Sequence, residues 1–266
     1  MTSSGEGPPA FDWITHRFLQ KLFKALRPKD AIVITGSCIV AHTLEKQGLA
    51  SFLPGDVDVF VKENLKLEDE IFDRSFLISD ILLPLEREGI HWQPRHIPIK
   101  DGLHPEFKKY GNCKIDIVHI IEFTLFRKDL AANRPKIQIM VVADDSPIPQ
   151  ELTLFCLTPF ERKVVTSFDI DIVLGAYNPI NSSITFAYRD TKDNIQKMEF
   201  WYICDSMRPF RLSSVIKRIQ KYTDRGFTFI GFRDIIDPDL AILLPKFEIT
   251  MPQPFEHDVD DLLLDF

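Results

Sequence analysis

Apolar residues recur along this chain at two spacings, and these divide it into elements. Phe11, Ile14, Phe18, Leu22 and Leu26 fall on one helical face, and Pro28 stops the run. "AIVIT" (31–35) is short and β-branched, which predicts a strand buried on both faces. Residues 38–47 read as a helix starting just after Gly36-Ser37, and "DVDVFV" (56–61) alternates as a strand. A long helical region is predicted over 67–88, broken near Pro84. "KIDIVHI" (114–120) and "KIQIMVV" (136–142) alternate again. "ADDSPIPQE" (143–151) reads as a loop. Thr158, Pro159 and Glu161 have the spacing of a capped helix start. "FDIDIVLGAY" (168–177) reads as a strand, and "NPINSS" as a turn into "ITFAY". Residues 213–225 form a basic amphipathic helix that Gly226 ends. Strands alternate with helices at first and then crowd together, which predicts an α+β or α/β domain with a mixed sheet. No internal repeat is visible.

Within "DVDVFV" the alternation sends Val57, Val59 and Val61 to one side and Asp56 and Asp58 to the other. Two carboxylates so close repel unless something positive lies between them. A divalent cation does this: Mg²⁺ takes carboxylate oxygens and keeps positions for water and phosphate. Gly36-Ser37 supplies a complementary half. Glycine lets a phosphate approach the backbone, and the following helix start and the Ser37 hydroxyl offer donors to its oxygens. Blander readings stand beside these: edge-strand charges that discourage aggregation for Asp56 and Asp58, and a helix cap for Ser37.

"TGS", a helical segment and then "GDVDVFV" together resemble the signature of the DNA polymerase β-like nucleotidyltransferase superfamily. More narrowly, "ITGS…DVDVF…IQI…SFDI…KY…RGF" is similar to nucleotidyltransferase-like proteins of large DNA viruses. The spacing from Ser37 to Asp56 is longer than is usual for the superfamily. The resemblance covers roughly residues 30–175. It implies a nucleotidyltransferase-like core with flanking helices and a C-terminal extension. It also implies Mg²⁺- or Mn²⁺-dependent transfer of a nucleotide from a nucleoside triphosphate. Asp56 and Asp58 would hold the ions, Gly36 and Ser37 the triphosphate, and a third carboxylate on a neighbouring strand would complete the set. Asp169 in "SFDID" is the favoured third member, and Asp116 in "KIDIVHI" is its rival. The expected division is a disordered lead-in (1–10), the core (11–190), the extension (191–250) and an acidic tail (251–266).

Composition narrows the alternatives. The 266 residues carry a formal net charge of −7, and five of the acids sit in 256–266 with no lysine or arginine. The body is therefore nearly neutral, at about −2, which argues against a salt-dependent nucleic-acid coat. The basic helix bearing Lys217, Arg218, Lys221 and Arg225 is a solvated face or a holder of triphosphate or nucleic acid. Cys38, Cys113, Cys156 and Cys204 are far apart and lack zinc-ligand spacing with histidine, so reduced thiols in an intracellular protein (cytoplasm or nucleus) are expected. No run of eighteen apolar residues and no signal-peptide pattern is present, so no membrane span is expected. The tail "EHDVDDLLLDF" reads as a docking peptide for a protein partner, and it resembles the acidic, phenylalanine-terminated tails of single-stranded-DNA-binding proteins. Two functions are thus expected to compete. One is the enzyme, acting on RNA, a tRNA end, a protein or a small molecule. The other is a catalytically degenerate fold that binds partners through its tail.

Overall fold

The computed structural model describes residues 13–26, 32–49, 51–63, 66–67, 70–71, 74–94, 115, 117–127, 135–143, 157–204 and 212–234. Asp116, Cys113, Cys156, the lead-in and the acidic tail lie outside the described residues.

Seven strands form one mixed sheet in the order β5-β6-β7-β2-β1-β8-β9. They are β1 (Ile32–Thr35), β2 (Asp56–Lys62), β5 (His91–Pro94), β6 (Ile117–Phe126), β7 (Lys136–Val142), β8 (Gly175–Asn178) and β9 (Ser183–Phe186). Every neighbouring pair is antiparallel except β2 and β7, which run parallel. The mixed α+β architecture expected from the pattern is present. Two short strands, β3 (Lys66–Leu67) and β4 (Glu70–Ile71), pair separately.

The two faces of the sheet have separate cores, which explains why β1, β2 and β7 are so apolar. On one face Ile34, Val57, Val59 and Ile139 meet helix α1 (Trp13–Ala25) through Ile14, Phe18 and Leu22. Phe18 stacks edge-on against Phe123 at 5.2 Å. On the other face Val33, Phe60, Met140 and Val142 meet Phe160, Val164 and Val165 of α5 (Pro159–Val165).

The start of α5 is the capping box read from the sequence. Glu161 N–H donates to Thr158 Oγ1 at 3.2 Å, and Thr158 N–H donates to Glu161 Oε2 at 2.7 Å. Thr158→Ala is expected to lower stability by about 1 kcal/mol in denaturant unfolding, with Thr158→Ser close to the parent.

A third core joins the C-terminal elements to α2 (Ser37–Lys46). Val40 and Leu44 of α2 pack with Ile195 of α6 (Thr191–Lys197), Phe200 of β10 (Glu199–Cys204), Val215 and Tyr222 of α7 (Leu212–Thr223), and Phe227. Strand β10 pairs in parallel with β11 (Thr228–Asp234). The described part of the extension therefore shares a core with the helix that follows Gly36. Among the described residues no helix is long and apolar enough to cross a membrane.

Two local expectations need correction. The helical region begins at Arg74, after β3 and β4, and it passes through Pro84 instead of breaking there. It runs as α3 (Arg74–Phe76), a π-helical stretch (Leu77–Leu82) and α4 (Leu83–Arg87). Pro84 has no N–H and its ring crowds the preceding turn; the wider turn, in which Leu83 N–H reaches Ile78 O, relieves both problems. The second correction concerns 168–177, where only Gly175–Asn178 is strand. Asp171–Val173 is a 3₁₀ turn, and residues 170–173 are all buried, so there is no two-face alternation to sustain.

Asp171 explains that turn. Its buried carboxylate accepts from Asn194 Nδ2 and from the Trp201 N–H, both at 2.8 Å, tying the turn to α6 and β10. Burial raises its pKa from 3.8 to about 7, against the lowering pull of those two donors. The unfolded chain ionises this group near 3.8, so between about pH 4 and 7 the folded state holds the extra proton. Its contribution to stability is therefore full below pH 4 and lost as pH rises through 7. The effect is of order 4 kcal/mol at about 1.4 kcal/mol per tenfold change in proton affinity. Melts of the parent and Asp171→Asn from pH 4 to 8 are expected to show the difference between them changing over that window and flattening above it.

Candidate functional site

The site is built where β1 hands over to α2. Gly36 joins them at φ +90°, ψ −156°, a conformation that side chains disfavour. Space forbids a side chain there as well. A Cβ on Gly36 would overlap Asp58 Oδ2 and stand 3.2 Å from Asp58 Cγ. The Asp58 carboxylate thus presses directly on the glycine of the bend. Register explains the contact, because Thr35 pairs with Asp58 across β1 and β2.

Asp56 and Asp58 share one face and are half-buried, while Val57, Val59 and Val61 are fully buried on the other. The same register continues sideways. Asp58 pairs with Gln138 of β7, Gln138 with Glu122 of β6, and Asp56 with Lys136. Directly opposed residues point to the same side, so Thr35, Asp58, Gln138 and Glu122 form a polar row across four strands. Gln138 Nε2 donates to Glu122 Oε2 at 2.5 Å, and both side chains are buried. Burying this pair is tolerable because each satisfies the other.

Helix α2 begins at Ser37. Its N-cap is Gly36, so no side chain caps the first turn. Ser37 is only 4% exposed, and its Oγ is buried with no hydrogen-bond partner among the described residues. At the next position, Cys38 Sγ donates to Thr35 O at 3.0 Å. Burial pushes the Cys38 thiol pKa well up, and the nearby Asp58 and Asp56 carboxylates add to this. Cys38 is thus a neutral thiol held beneath the acidic pair, free of any disulfide.

The end of α7 closes on the same place. Tyr222 is buried, and its hydroxyl pKa is raised by burial first, then by Asp56 and Asp58. The Arg225 guanidinium lies over the Phe52 ring at 4.0 Å and over the Tyr222 ring at 5.2 Å. Burial lowers the Arg225 pKa, while Tyr222 and Asp56 favour its charge.

Asp169 is placed differently. It sits in the bend before the 3₁₀ turn, not on a sheet strand beside β2. Its Oδ2 accepts from Tyr202 Oη at 2.7 Å and from Arg218 Nη1. The structure therefore gathers Gly36, Ser37, Asp56 and Asp58 at one end of the sheet and gives the Asp169 carboxylate a basic partner on α7. Asp116 lies outside the described residues.

Gln138, Glu122, Phe52 and Tyr222 were not singled out from the sequence. A signal existed for the first two, since each is a polar residue with apolar residues on both sides inside a strand, "KIQIMVV" and "IIEFTLF". Phe52 and Tyr222 had no such signal, because an aromatic residue beside a loop or on an amphipathic helix reads as core.

Asp56 and Asp58 are of the ligand type that a magnesium or manganese ion takes. Two carboxylates on one strand face, with open positions for water and phosphate oxygens, are what such ions take from a protein. Among the described residues no group of three histidine, cysteine or acidic side chains gathers. Comparison of the chain with models of protein families, with curated proteins and with solved structures finds no match.

Proposed function

We propose that this protein is a divalent-cation-dependent nucleotidyltransferase of the polymerase β-like kind. The observation that carries the reading is the Asp58 carboxylate packed against a glycine that has neither the conformation nor the room for a side chain. A carboxylate beside a bare backbone bend joins a cation ligand to a phosphate-accepting surface. The antiparallel pairing of β1 with β2 and the shared face of Asp56 and Asp58 support it.

In this reading Asp56 and Asp58 hold Mg²⁺ or Mn²⁺. Bound there, the cation would neutralise phosphate charge and favour ionisation of the attacking hydroxyl. Gly36 lets the Asp58 carboxylate lie against the bend beside the triphosphate, and the Ser37 hydroxyl and the first turn of α2 donate to the triphosphate oxygens. The acceptor hydroxyl, on RNA, a protein or a small molecule, bonds to the α-phosphorus and loses its proton, and pyrophosphate leaves. Asp169 joins the metal ligands only by giving up its pairing with Arg218.

A second reading is a catalytically degenerate fold that works by binding, with the acidic tail (256–266) as its docking segment. Two observations favour it. The residue beside Asp58 on β7 is the neutral Gln138, and Asp169 is already ion-paired.

The two readings part in one experiment. The protein is incubated with each α-labelled nucleoside triphosphate and Mg²⁺ or Mn²⁺, with and without RNA, beside Asp56→Ala/Asp58→Ala. Label transfer or pyrophosphate release by the parent alone supports the enzyme. Equal signals, or none from either protein, remove it.

A further inference from the structure

A polyphosphate needs positive charge opposite it, and the basic helix offers four cations that the sequence does not rank. The structure separates them. Lys217 and Lys221 are exposed, and Arg218 is engaged with Asp169. Arg225 is different. It follows the last turn of α7, where Gly226 reverses the chain at φ +88°.

Two aromatic rings fix its guanidinium. Phe52 lies four residues before Asp56, so the ring beneath Arg225 belongs to the loop that delivers the acidic strand. Tyr222 is held in turn by Phe200 at 5.7 Å and Phe227 at 6.1 Å. With Phe52 over its face, the guanidinium keeps its in-plane N–H donors for hydrogen bonding, with Tyr222 among their partners. One of those donors, Nη1, is buried with no hydrogen-bond partner among the described residues. A buried donor without a partner is costly, and the cost is recovered when an anion arrives. Phosphate oxygens match the planar fork and can take two bonds from it.

We propose that Arg225 is the side chain that receives the substrate's polyphosphate, held in place by Phe52 and Tyr222 while Asp56 and Asp58 hold the cation. The proposal rests on the nucleotidyltransferase reading and adds to it the residue that binds the leaving group's charge. Arg225 touches substrate in this account, whereas Phe52 is a positioning residue.

The test uses the full chain and inorganic tripolyphosphate, which carries the charge without a base. Binding is measured by calorimetry with Mn²⁺ present, and Mn²⁺ binding alone is measured by paramagnetic resonance. Arg225→Ala is expected to weaken tripolyphosphate binding tenfold to a hundredfold, on the order expected for losing a charge-assisted pair, and to leave Mn²⁺ binding alone unchanged. Arg225→Lys is expected to recover only part of the loss, because an ammonium cannot make the paired contact. Phe52→Leu keeps every charge and is expected to weaken tripolyphosphate binding several-fold. These two milder variants decide the matter should Arg225→Ala not fold. Unchanged tripolyphosphate affinity in the arginine variants overturns the proposal. So does a parallel loss of Mn²⁺ binding, which would make Arg225 only a support for Asp56. If Asp56→Ala/Asp58→Ala leaves both ligands unaffected while Arg225→Ala abolishes tripolyphosphate binding, the phosphate site stands and the metal-dependent reading falls. A parent that binds neither ligand overturns both.

Discussion

Gly36→Ala is expected to cut nucleotidyl transfer by at least about a hundredfold while lowering stability by only about 1–3 kcal/mol. Two costs combine at this position. The backbone sits at φ +90°, ψ −156°, a region essentially reserved for glycine. The new methyl group would also overlap the Asp58 carboxylate. Either the bend opens or Asp58 swings away, and both outcomes separate the proposed cation ligand from the proposed phosphate surface. Misplacing a reacting group by about 1 Å is enough for a hundredfold loss. Gly48→Ala is the control. Gly48 has φ +68° at the other end of α2, but a Cβ there meets nothing within 4 Å. That variant is expected to lose stability and keep its activity, which separates backbone strain from damage to the site.

Asp58→Asn is expected to reduce transfer by about a hundredfold to ten-thousandfold, the equivalent of several kcal/mol of transition-state stabilisation. Asp56→Asn is expected to behave alike. Asp56 also favours the Arg225 charge, so thermal melts of each variant separate a fall in transfer from a fall in stability. Loss of activity without loss of stability is the signature of a ligand. The edge-strand reading of these charges is overturned, because β2 lies between β1 and β7 inside the sheet. Steady-state rates with saturating Mg²⁺, taken beside thermal melts of the same preparations, check both expectations.

What could be read from the sequence follows a physical divide. Strands β1, β2 and β7 were legible because they are buried on both faces or alternate cleanly, so Ile32–Thr35, Asp56–Lys62 and Lys136–Val142 carry their own pattern. The α5 cap was legible because Thr158 and Glu161 interact within one turn. The common face of Asp56 and Asp58 follows from the period of a strand and needs no tertiary information. The segment after Phe168 was not legible, because its shape is set by Asp171 bonding to Asn194 and Trp201, more than twenty residues away. The helix through Pro84 was misread for a similar reason. Breaking and widening are both open to a proline-bearing helix, and packing of Leu77, Ile81 and Leu85 into the first core holds the widened form together.

The same divide runs through the site. Gly36, Ser37, Asp56 and Asp58 come from two adjacent antiparallel strands and the turn between strand and helix, so local pattern reaches them. Arg225 comes from far down the chain. Composition marks its helix as basic, but only the third core shows that Arg225 turns toward Phe52 while Arg218 turns toward Asp169. The pairing of Gln138 with Glu122 depends on β6 lying beside β7, a neighbour relation that no window of the sequence contains.

Mn²⁺ titration tests most directly the proposed cation site, the Asp56 and Asp58 pair held next to the Gly36 bend. Paramagnetic resonance of Mn²⁺ with the full chain, with and without a non-hydrolysable nucleoside triphosphate, is compared with Asp56→Asn/Asp58→Asn. Saturable Mn²⁺ binding is expected, tightened by the triphosphate and weakened at least tenfold in the double variant. Mn²⁺ binding that is the same in both proteins, or absent from the parent with the triphosphate present, would contradict it.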